Sequence, residues 1–178
     1  MKLIVWLWNP SKDYAKHRHT IGFVIVDDLV QQWWGSWSLK KEWGAEVAEC
    51  FVDRQKVILA KPLLYMNRSW WPTQQIANFY KIDSKDILVV HDEIDFPVAK
   101  VALKLWGRSW WHNGLKDIIG KLGNQDFWRL RIGVGRPAAD SHQRVADYVL
   151  ENFRQSDLDA LDDVYGQIVS WVEKFLVT

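Results

Sequence analysis

The chain has 178 residues, a net charge of +1 and a single cysteine. That length supports a substantial core in one domain, and the near-neutral balance excludes a uniformly basic nucleic-acid coat. A lone thiol excludes an internal disulfide framework, and no apolar run approaches the roughly 18 residues of a membrane helix, so a cytoplasmic protein is expected.

In chain order, Lys2–Leu7 is apolar, β-rich and stops at Asn9-Pro10, which predicts a buried strand and a turn. Ser11–His17 is polar loop. From Thr20, a candidate N-cap, Ile21, Val24, Ile25 and Leu29 follow helical spacing. Trp33–Gly44 has no clear period and reads as loop or weak strand. Glu46–Phe51 and Lys56–Ala60 predict two strands joined at Asp53-Arg54, with Cys50 a packed thiol rather than a nucleophile. A helix is expected around Thr73–Tyr80, then a strongly apolar strand, Ile87–Val90, that runs out at His91-Asp92-Glu93. Lys100–Leu105 reads as a strand, Leu115–Leu122 as a helix with Asn113 as its candidate cap, and Arg129–Val134 as a strand. A helical turn near Val145–Leu150 precedes one long amphipathic helix, about Asp157–Phe175. Apolar strands alternating with helices define the expected class: α/β, a single-domain three-layer α/β/α sandwich over residues 1–178, around a twisted, mostly parallel mixed sheet.

Charge is unevenly spread. Residues 99–144 hold nine Lys/Arg against three acids, and residues 145–178 hold seven acids against two bases. The pattern suggests one face suited to phosphates, against the plainer reading of two solvated faces. Open α/β sheets bind ligands beyond the carboxyl ends of their strands. This chain offers Asn9, Asn67 and Asp92 there, with His19 and Asn113 at helix starts. Such a set suits water-mediated hydrolysis. An imidazole titrating near pH 6.5 takes a proton from water, a carboxylate fixes its tautomer, and carboxamides grip ester and peptide groups or donate to an oxyanion. No Gly-x-Ser-x-Gly elbow and no His/Cys cluster argues for a covalent nucleophile or a zinc ion. Each residue also has a plainer reading. His19, beside Arg18, reads equally as a surface histidine, and Asn9 and Asn67 as turn residues. His17, His91 and His142 read as structural or exposed.

Six blocks in order carry a resemblance. They are Leu7-Trp8-Asn9-Pro10, Arg18-His19-Thr20-Ile21-Gly22-Phe23, and the run from Lys61-Pro62 to Tyr65-Met66-Asn67-Arg68-Ser69. Val90-His91-Asp92-Glu93-Ile94-Asp95, His112-Asn113-Gly114-Leu115-Lys116 and the run from Arg129 to Pro137 complete them. In these the chain resembles the bacterial peptidyl-tRNA hydrolase family over nearly its whole length. The resemblance implies a monomeric, cytoplasmic enzyme without metal or organic cofactor, whose partner is peptidyl-tRNA and which cleaves the ester joining peptide to tRNA. By it His19 is the general base and Asp92 its orienting partner. Asn9, Tyr14, Tyr65, Asn67 and Asn113 would hold the substrate, and Lys104 and Arg131 the tRNA phosphates. Lys100 and Arg136 join that basic set by charge alone. The competing reading is an impaired, RNA-binding relative of the same fold.

The departures from the family pattern cluster on tryptophan, of which there are thirteen. Trp6, Trp8, Trp70, Trp110 and Trp111 occupy positions where the family has small residues, chiefly glycine, and Ala99 also replaces a familiar glycine. We read many of these tryptophans as glycines of the natural polypeptide, from an organism in which UGA encodes glycine. UGG codons at those positions would refute this.

Overall fold

The computed structural model describes residues 1–7, 22–64, 66–105, 107 and 112–178, without the side chains of residues 22–24 and 67. The central strands are those whose apolar residues run unbroken, because both faces of a central parallel sheet are covered. Strand β1 (Lys2–Trp6) lies between β4 (Gln55–Pro62) and β5 (Ile87–Glu93), parallel to both, and β5 pairs in parallel with β7 (Trp128–Gly133). Antiparallel strands finish both margins: β2 (Trp37–Lys40) and β3 (Ala45–Val52) beyond β4, and β6 (Val101–Leu105) beyond β7. The order is β2-β3-β4-β1-β5-β7-β6. The expected junction between β3 and β4 is a two-residue hairpin turn, with Asp53 and Arg54 at φ of 47° and 66°. Positive φ at both central residues matches the right-handed twist of the flanking strands.

Helices cover both faces, giving the three layers. One core packs α1 (Gly22–Gln32), α5 (Gln155–Asp163) and α6 (Tyr165–Leu176) on Ile4, Trp6, Leu88, Val90, Leu130 and Ile132. The other packs α2 (Trp70–Tyr80) and α3 (Asn113–Leu122) on Leu3, Val5, Ile58, Val89 and Phe127. A short helix, α4 (Val145–Val149), closes a small third cluster with Ile94 and Val134. Cys50 is a packed thiol, 1% exposed, and burial pushes its pKa up to about 11.

The stretch Trp33–Gly44, read as loop or weak strand, contains a four-residue strand, β2, on the free edge that the hairpin offers. Two expectations about elements change. The strand expected to end at Val90 continues to Glu93, since β7 runs alongside and pairs His91 with Arg131, Asp92 with Ile132 and Glu93 with Gly133. The single long helix after residue 157 is two helices meeting at Val164, whose N–H turns to the Leu161 carbonyl. Leu161 and Ile168, on either side of the break, are both buried in the same core, at 7% and 0% exposure.

Candidate active site

The extension of β5 carries Asp92 into the interior, where it is 1% exposed at the carboxyl end of the parallel strands. A carboxylate so buried needs strong hydrogen bonds. One comes from His112, also 1% exposed, whose Nε2 lies 2.9 Å from Asp92 Oδ1. His112 is the N-cap of α3, and its Nδ1 accepts the Leu115 N–H at 3.4 Å. With Nδ1 accepting, Nε2 carries the proton and donates to Asp92, so one ring both caps a helix and holds the carboxylate. The expectation that Asn113 caps this helix is thereby corrected. Asn113 is the first helical residue, exposed at the mouth of the site.

Gly114 permits this approach. A Cβ there would stand 2.8 Å from Met66 Sδ and 2.9 Å from Leu7 Cδ1, so the glycine lets the start of α3 press onto both side chains where they lie. That packing seats the turn Met66–Arg68, which contains Asn67, beside the α3 N-terminus. Asp92, His112, Asn113 and the backbone of Asn67 therefore share one rim. Asn9, Tyr14, His19 and Tyr65 lie outside the described residues, as does the Asn67 side chain. Among the described residues no group of three His, Cys, Asp or Glu is placed to hold a metal ion.

His91, next along β5, points to the opposite face from Asp92, as alternation in a strand demands. Its ring meets that of His112 edge to face, 5.0 Å between centroids, and its Nδ1 donates to the Asp92 carbonyl at 2.7 Å. Burial above all holds it well below the ordinary imidazole range, so it is neutral. Its Nε2 has no partner among the described residues.

Beside this rim lies a cationic shelf. Lys104 stands opposite Arg129, and Ala102 opposite Arg131, so all four side chains share the face that also carries His91 and Glu93. Lys104 is exposed, and Arg129 is buried over the Phe127 ring at 4.6 Å. Desolvation, with Arg131 adding repulsion, brings the Arg129 pKa down to about 10, which still leaves it charged. Arg131 is held by Glu93, with both Nε and Nη2 at 2.9 Å from Oε2. Arg136, by contrast, sits on the surface paired with Asp95.

His112 as the partner of Asp92 was not legible in advance. The available signal was a histidine one residue before a helix start, paired with a carboxylate whose strand has no solvent to face.

Fold and site together define an α/β sandwich that places a buried carboxylate–imidazole pair and a cationic shelf at the carboxyl ends of its parallel strands. The family model for peptidyl-tRNA hydrolase matches residues 3–178. The peptidyl-tRNA hydrolase of Rickettsia felis is 42% identical over 168 residues, covering 92% of this chain and 89% of that protein. That of Mycoplasma capricolum is 38% identical over 175 residues, covering 98% and 92%. Among solved structures, peptidyl-tRNA hydrolase from Acinetobacter baumannii superposes with a TM-score of 0.87 at 30% identity, covering 98% of this chain and 94% of that one. The chain belongs to the peptidyl-tRNA hydrolase family.

Proposed function

We propose that this protein hydrolyses the ester between the peptide and the tRNA 3′ end in peptidyl-tRNA, releasing free tRNA in the cytoplasm. The observation that carries the reading is the buried Asp92–His112 pair beside the shelf of Lys104, Arg129 and Arg131 in a chain of this family. His19, assigned by resemblance, takes a proton from water as the water oxygen attacks the ester carbonyl. The bond to the ribose oxygen then breaks, and that oxygen leaves protonated as the tRNA hydroxyl. Asp92 orients the base, and its carboxylate is itself held by His112. Asn9, Tyr14, Tyr65, Asn67 and Asn113 grip peptide and 3′ adenosine through groups that do not titrate near neutral pH. Lys104 and Arg131 take backbone phosphates.

The test is peptide release from peptidyl-tRNA. His19→Ala is expected to lose about 10²- to 10⁴-fold in kcat while still binding tRNA. Lys104→Ala and Arg131→Ala are expected to raise KM and each to lower the salt slope of tRNA binding by about one. A folded His19→Ala variant with normal turnover would overturn the assignment.

A further inference from the structure

The connection between β5 and β6, residues 94–100, is built on the end of β7. Gly133 N–H donates to the Lys100 carbonyl at 2.8 Å, Gly135 N–H to the Phe96 carbonyl at 2.9 Å, and Ala99 N–H to the Gly133 carbonyl at 3.2 Å. Gly133 is bare where this segment crosses it: a Cβ would lie 2.0 Å from the Pro97 carbonyl oxygen and 2.8 Å from Phe96 Cβ. Phe96 is thus fixed by backbone, and it is half-buried. Two cations share its ring. Arg131 Cζ lies 4.2 Å from the centroid and Lys100 Nζ 4.5 Å.

An aromatic face carries negative quadrupole charge and attracts cations, Arg and Lys alike. Collecting two of them at one ring brings like charges together, and Glu93 partners Arg131. Two positive charges held at one ring form a site that suits an anion such as a phosphate. Lys100 is exposed and lies four residues before Lys104, on the same margin of the sheet. Charge counting alone added Lys100 to the basic set with no position for its head group; the ring supplies one.

We propose that Phe96 is a positioning residue for RNA binding. It gathers Lys100 and Arg131 into one site for backbone phosphate and extends the shelf of Lys104 and Arg131 around the end of β7. The inference rests on the reading of this chain as a tRNA-binding hydrolase. Phe96 works through the two cations and touches neither the ester nor the attacking water.

The experiment measures the dissociation constant for deacylated tRNA across a salt series, together with KM and kcat on peptidyl-tRNA. Phe96→Leu is expected to weaken tRNA binding by about tenfold, with the loss falling on KM more than on kcat. Phe96→Tyr keeps an aromatic face and stays within about twofold, whereas Phe96→Met, of similar volume and without a ring, behaves like Phe96→Leu. Lys100→Ala lowers the salt slope by about one, and its loss in Phe96→Leu is smaller than in wild type because the two act together. Thermal melting of each variant confirms that it folds. Equal affinities for the Leu, Met and Tyr variants, or an unchanged slope for Lys100→Ala, while Arg131→Ala still binds poorly, would overturn the role of Phe96 and leave the phosphate shelf standing. Wild-type binding by Arg131→Ala as well would remove the reading beneath both.

Discussion

Trp34 has a backbone φ of 56° and leaves 96% of its surface in water. It sits just past α1 in a Schellman turn: Trp34 N–H donates to the Gln31 carbonyl and Gly35 N–H to the Val30 carbonyl. That position takes glycine by preference, since a Cβ in the left-handed region costs roughly 1–2 kcal/mol. A fully exposed indole returns nothing by burial. Trp6 is a different case, packed into the core at 1% exposure. The strain at residue 34 therefore supports the reading of some tryptophans as glycines of the natural chain. Trp34→Gly is expected to raise the unfolding free energy by about 1 kcal/mol, measured by urea denaturation, and a UGA codon is expected at that position. Ala99, at φ of 66°, carries the same left-handed strain, which a UGA codon does not explain.

At the scale of elements, the end of β7 is the piece on which others depend. The Glu93 carbonyl accepts the Val134 N–H, so β5, the connection to β6 and β7 are tied at one point. Gly133→Ala would drive a Cβ into the backbone of Pro97, which has no flexible end to move aside. Overpacking of this kind costs about 1–3 kcal/mol. The expected outcome is a lower melting temperature together with weaker tRNA binding, because Phe96 and Lys100 are displaced with the segment. Normal tRNA affinity in a destabilised Gly133→Ala protein would show that this junction does not shape the shelf.

Over the whole molecule, charge follows the layers. The shelf of Lys104, Arg129 and Arg131 lies on the face covered by α2 and α3, while the acidic carboxyl-terminal helices α5 and α6 cover the other. A near-neutral protein thus presents an oriented field, basic on one side of the sheet and acidic on the other. Global stability carries a second electrostatic signature. Folding lowers the pKa of His91, so the unfolded chain binds the extra proton. Stability from keeping this ring neutral is fully present above the unfolded value near about 6.5 and falls as pH drops below it, by up to about 1.4 kcal/mol per pH unit. His112, Asp92 and Arg129 are the charged or titratable groups around the ring. Urea unfolding at pH 7.5 and 5.5 is expected to show a smaller loss on acidification in His91→Asn than in wild type. Equal losses would mean that His91 titrates normally in the fold.

Much of the fold was legible because its signals are local. The unbroken apolar runs of β1 and β5, the Asp53-Arg54 turn and the burial of Cys50 follow from residues close together in the chain. Where β5 ends was not legible, because His91-Asp92-Glu93 looks like a strand exit until β7 is laid beside it. The break at Val164 was likewise hidden in a periodicity that continues across it.

By itself, the sequence determined the α/β class and the uneven charge. Only the tertiary structure decided that Asp92 is held by His112, that Arg129 joins Lys104 and Arg131 on one face, and that Phe96 collects two cations. Side-chain partners of this kind depend on the register between strands far apart in the chain, where a shift of one residue reverses every face.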